Sequence, residues 1–67
     1  MRRKPMYFVG QELYPKHTKF GLHANEKYIV REILGKRNHN TVLRVFYVNE
    51  NVELTNKLGK WFRKRKR

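Results

Sequence analysis

The chain contains no cysteine, so neither a disulfide framework nor a thiolate zinc site holds it together. That composition suits a reducing compartment. Acidic side chains are scarce: Glu12, Glu26, Glu32, Glu50 and Glu53 stand singly among predicted strands and turns. They supply no close carboxylate pair, and the chain shows no Ser-His-acid arrangement and no glycine-rich phosphate loop. The expectation is therefore a protein that is not an enzyme, with no catalytic residue to name. His17 and His23 share one predicted loop at a spacing that fits no standard zinc site, and His39 lies elsewhere, so no metal or other cofactor is expected. No apolar run approaches the ~20 residues that a membrane-crossing helix needs, and the first residues do not resemble a signal peptide. These absences predict a soluble, cytoplasmic protein with no membrane and no small-molecule substrate as partner.

What the chain has in excess is positive charge. Its 67 residues carry 17 Lys and Arg against five acids, a net charge of +12. Eight of those cations lie at the two ends: Arg2, Arg3 and Lys4, then Arg63, Lys64, Arg65, Lys66 and Arg67. A dense run of like charges repels itself and stays disordered until an anion neutralises it. The expected organisation is a basic arm over 1–5, one small domain over 6–62 and a basic tail over 63–67. A domain this short buries only about 60% of its unfolded surface, so its stability margin is thin.

The domain is read around Thr41 to Val48, TVLRVFYV, in which β-branched and aromatic residues predominate. A strand alternates its faces, placing Leu43, Val45 and Tyr47 toward the core and Val42, Arg44 and Phe46 on the other side. Tyr28 to Leu34 has similar chemistry, and Gly35 to Asn40 between them is rich in turn formers, which predicts a β-hairpin with Lys36, Arg37 and His39 at its tip. Charge occurs in both registers of the Tyr28 strand, so a bulge or two-sided cover is expected there. Upstream, Gln11 to Tyr14 forms a short strand ended by Pro15, with Val9, Gln11 and Leu13 on its inward face and Gly10 at a bend. Lys16 to Asn25 is a long loop from which Phe20 and Leu22 dip into the core, closed by a left-handed Asn25. After Val48 come a hairpin loop over 49–51 and a half-buried strand with Val52 and Leu54 inward. A helical turn over Asn56 to Gly59 and a final strand, Lys60-Trp61-Phe62, end the domain.

Val9-Gly10, Leu13, Gly21-Leu22, Tyr28-x-Val30 and Trp61-Phe62 together resemble the small SH3-like barrels, particularly the short ones encoded by bacteriophages and prophages. The resemblance spans about Val9 to Phe62. It departs from the pattern where Asn25 stands in place of the glycine that often opens the turn before Tyr-x-Val. It implies an all-β fold, a five-stranded SH3-like barrel with disordered basic tails, and a phage origin. It transfers no activity, because such folds host many functions.

The composition points to nucleic acid, DNA or RNA, as partner. The expected contacts are Arg2, Arg3, Lys4, Lys60, Arg63, Lys64, Arg65, Lys66 and Arg67 on phosphate, extended by Lys36, Arg37 and Arg44. Trp61 is the expected stacking platform, with Tyr14, Phe46 and Tyr47 as further candidates. A second reading is a module that docks on a host transcription or replication protein through Phe20, Phe46 or Trp61. A third is a ribosome-associated protein whose tails thread RNA.

Overall fold

In the computed structural model, residues 7–66 are described. The predicted basic arm at Arg2, Arg3 and Lys4, together with Arg67, lies outside them. The strands are β1 (Glu12–Pro15), β2 (Tyr28–Arg37), β3 (Asn40–Tyr47), β4 (Val52–Leu58) and β5 (Phe62–Arg63), with a single 3-10 turn over Gly59–Trp61 between the last two. They form one antiparallel sheet in the order β4-β3-β2-β1-β5. The all-β expectation holds; the closed barrel does not. β4 and β5 remain the two edges of the sheet. β5 is two residues long and pairs with the end of β1, Tyr14 with Arg63 and Pro15 with Phe62, and no ladder joins its other edge to β4.

The core follows the predicted stripe. Leu43, Val45 and Tyr47 of β3 pack with Tyr28 and Val30 of β2, Leu13 of β1, Phe62 of β5 and Leu22 from the long loop. Tyr7, Leu54 and Trp61 lean on this cluster from its margins. Among the described residues no charged side chain is buried. The buried Tyr28 hydroxyl accepts a hydrogen bond from the His23 backbone N–H at 2.9 Å, which offsets the cost of taking it out of water. Tyr28 also stacks on Tyr47 at 4.6 Å and meets Phe62 edge-on, so three aromatic rings share the centre.

β2 resolves its conflict of registers by bulging. The ladder with β3 slips between Val30 and Glu32 and again between Ile33 and Gly35, which leaves Arg31 and Leu34 as extra residues. Beyond Val30 every β2 residue is exposed, so this half of the hairpin stands out from the core. Its turn is only Asn38-His39, both at positive φ (48° and 68°), the signature of a two-residue type I′ hairpin. Gly35 to Arg37, expected in the loop, are paired strand residues.

Several local expectations are overturned. Val9 is 64% exposed, because Gly10 at φ +93° turns the chain before β1 begins. Val52 is exposed at the start of an edge strand with a neighbour on one side only. Val42 is buried although it lies on the face opposite Leu43, set between Gly35 and Leu58 on the adjacent strands. Asn56 to Leu58 continue β4 rather than forming a helical turn; Asn56 at φ +57° sits where the β3–β4 register shifts, and so makes a bulge. Lys60 and Trp61 belong to the 3-10 turn, and the last strand starts at Phe62. Asn25 adopts the left-handed conformation expected of it (φ +62°).

Candidate functional site

The long loop between β1 and β2 and the 3-10 turn before β5 are adjacent because β1 pairs with β5. The last turns of that pairing are continued by the Lys16 N–H, which donates to the Trp61 carbonyl at 2.8 Å. The loop is held by its own bonds: the Leu22 N–H donates to the Lys19 carbonyl, the Ala24 N–H to the Thr18 hydroxyl, and the Asn25 N–H to the Pro15 carbonyl. Its tip is tied to β4 by the Lys57 ammonium, 2.7 Å from the Phe20 carbonyl. Phe20 and Gly21 both hold positive φ, 57° and 77°, and this pair of left-handed residues turns the Phe20 ring out of the core. Leu22 is buried as expected; Phe20 is 54% exposed, against expectation.

The Phe20 ring instead lies flat on Trp61, centroids 4.0 Å apart and planes within 8°. Beside this pair opens a cavity of about 250 Å³ lined by Lys16, His17, Phe20, Leu22, Lys60 and Trp61. Its floor is apolar and its rim is basic. No carboxylate lines it.

No family model matches the chain, and neither a curated protein nor a solved structure shows significant similarity to it. The site is therefore read from its own chemistry.

Of the residues expected to meet nucleic acid, Lys60 and Trp61 line this cavity, and Arg63 follows directly in β5, half-buried opposite Tyr14. Lys64 places its ammonium over the Tyr7 ring, 5.7 Å from the centroid, while Arg65 and Lys66 are exposed. Lys36 and Arg37 are exposed near the end of the β2–β3 hairpin and do not line the cavity. Arg44 sits on the outer face of β3, where its guanidinium meets Glu32 at 2.9 Å. Arg31 pairs with Glu53 on the same face at 3.3 Å and lies over Phe46. That face is balanced in charge, and the cavity side is not. Exposed pairs of this kind contribute about 0–1 kcal/mol each, so Arg44 is a local charge balance rather than a free cation.

Lys16, His17 and Phe20 complete the site without having been singled out for it. The Phe20–Trp61 contact joins segments far apart in the chain, and no periodicity signals it. Tyr14, another stacking candidate, is half-buried beside Glu12, whose carboxylate accepts its hydroxyl at 3.3 Å. Tyr47 belongs to the core, where its ring stacks with Tyr28 and with His23. Desolvation pushes the Tyr7, Tyr28 and Tyr47 hydroxyls above the ordinary tyrosine value of 10.0; the nearby Glu26 and Glu50 carboxylates add to the shift at Tyr28 and Tyr47, and the His23 N–H opposes it at Tyr28. Among the described residues no cluster of histidine and carboxylate side chains suits a metal ion, and no helix is long and apolar enough to cross a membrane.

Proposed function

We propose that this chain is a non-enzymatic nucleic-acid-binding domain that grips the phosphate backbone with its basic end and the basic rim beside it. The observation that carries the reading is the concentration of cations at one end of the fold: Lys16 and Lys60 line the aromatic cavity, and Arg63, Lys64, Arg65 and Lys66 follow in the chain just after it. A polyanion laid across this surface releases condensed counterions, the main sequence-independent source of affinity for nucleic acids. In the same reading the fold is SH3-like; a long loop after β1, hairpin-linked β2, β3 and β4, and a helical turn before β5 support it. The setting is the cytoplasm of a bacterial host, with the protein a phage-encoded regulator of DNA or RNA processes.

The test is direct binding of the full chain to labelled duplex DNA, single-stranded DNA and RNA at low and moderate salt. Affinity that falls steeply with salt is expected. Absent binding, or binding that salt leaves unchanged, contradicts the reading. The exposed Phe20 ring favours one alternative, a module that docks on a host protein. Pull-down from host lysate with nuclease treatment separates the two, because a protein partner survives the nuclease and a nucleic acid does not.

A further inference from the structure

A surface that only grips phosphate needs cations and little else, since backbone contacts carry no base information. This one is built around an aromatic platform. Phe20 is kept outside the core in a left-handed conformation that is unfavourable for a bulky residue, and strain of this kind clusters at binding sites. Lys57 holds the Phe20 carbonyl, and the ring is set flat on Trp61. The adjoining cavity, about 250 Å³, is smaller than the ~300–1,000 Å³ typical of sites for drug-sized ligands, and its size suits one planar ring system. Its rim supplies Lys16 and Lys60, which complement phosphate and repel a cationic ligand, with His17 beside them.

We infer that the cavity between the long loop and the 3-10 turn receives one unpaired nucleobase, stacked against the Phe20–Trp61 pair, while Lys16 and Lys60 hold the phosphates on either side. The protein then prefers single-stranded nucleic acid to duplex. A duplex keeps the faces of its bases stacked on one another and can meet only the cations; a single strand offers both a π-face and its charge. The inference rests on the nucleic-acid reading above and adds the strandedness of the ligand.

The chain's single tryptophan reports on the site directly. Titrating the full chain with short oligothymidylate, oligouridylate and a duplex of equal phosphate content, each in matched salt, follows Trp61 fluorescence and affinity together. A fluorescence change with the single strands and none with the duplex is expected. Phe20→Gly removes the ring at a backbone position glycine favours, so the fold is kept; Phe20→Trp restores a platform. Phe20→Gly should weaken single-strand binding about 5- to 150-fold and duplex binding less than about 2-fold, with Phe20→Trp recovering most of the loss. Equal affinity for both forms, or equal loss of both in Phe20→Gly, overturns the inference and leaves phosphate binding standing. Failure to bind either form overturns both. A Trp61 response to an acidic peptide of matched charge, equal to that for the oligonucleotides, overturns the base-binding inference in favour of a protein ligand.

Discussion

Gly59 opens the 3-10 turn that carries Lys60 and Trp61, and it is the glycine whose missing side chain matters most. A Cβ added there would lie 2.5 Å from Cζ of Tyr7, 2.6 Å from its hydroxyl oxygen and 2.8 Å from Cε2, all closer than real Cβ contacts. Backbone strain is not the obstacle, since Gly59 is outside the positive-φ region. The end of the Tyr7 ring must move aside instead, and complete loss of its packing bounds the cost. A fully covered tyrosine buries ~150–250 Å², and Tyr7 is half-buried, so about 100 Å² at ~25 cal/mol per Å² sets a ceiling near 2.5 kcal/mol. Replacing glycine by alanine recovers about 0.4–1 kcal/mol through the unfolded chain. Gly59→Ala should therefore cost up to about 2 kcal/mol and lower Tm by up to about 16 °C in a domain of this size. A double-mutant cycle isolates the cause. In a Tyr7→Ala background the three nearest atoms are gone, and the same substitution should cost less than about 0.5 kcal/mol. Thermal unfolding of the four proteins decides the matter; a Gly59→Ala effect that is the same in both backgrounds would refute the packing of Tyr7 on this turn.

Two other expectations follow from the turn and core chemistry. His39 occupies the second position of the type I′ turn at φ +68°, where glycine is favoured, so His39→Gly should raise stability by about 0.5–1 kcal/mol in denaturant unfolding; a loss would show that the turn is not type I′. Because Tyr7, Tyr28 and Tyr47 have folded-state pKa values above the unfolded value of 10.0, the unfolded chain releases these protons first as pH rises. Their contribution to stability is full below about pH 10 and is lost as pH climbs through the folded values. Unfolding measured from neutral pH upward should show that decline, less steep in Tyr47→Phe, and stability that stays level into the alkaline range would contradict it.

How far the sequence could be read depended on how local the deciding interaction was. The Leu43-Val45-Tyr47 stripe was legible because alternation alone assigns it, whereas charge in both registers left the inward face of the Tyr28 strand open, and the structure gives it to Tyr28 and Val30. Past Val30 the pattern stops informing: β2 bulges twice and its far half is exposed on both faces, so Gly35 to Arg37 look like loop while pairing as strand. Asn56 to Gly59 has the composition of a helical turn, but the neighbouring strand β3 recruits Leu58 and Lys57 into the sheet, and Asn56 absorbs the mismatch at positive φ. Closure of the barrel was implied by the resemblance to SH3-like barrels, and it is a global property that a two-residue β5 does not satisfy. At the candidate site, Lys60, Trp61 and the cations that follow were legible as a local cluster of charge beside an aromatic. Phe20 was placed in the core because it is apolar and lies next to Leu22; only the left-handed Phe20-Gly21 pair, fixed from β4 by Lys57, sends its ring outward. The ion pair of Arg44 with Glu32 was hidden in the register of the bulged ladder.

The central claim is that the basic end holds polyphosphate. Cutting the chain at Phe62 would remove Arg63 from β5 and confuse binding with stability, so the cleaner perturbation is to replace Lys64, Arg65, Lys66 and Arg67 together by glutamine. The slope of log affinity against log salt for duplex DNA is then measured for both proteins. Each phosphate contact contributes about 0.9 to that slope, so the parent should show about −4 to −5 and the neutralised tail should flatten it by about 3 to 4. An unchanged slope, with affinity undiminished, would contradict the account.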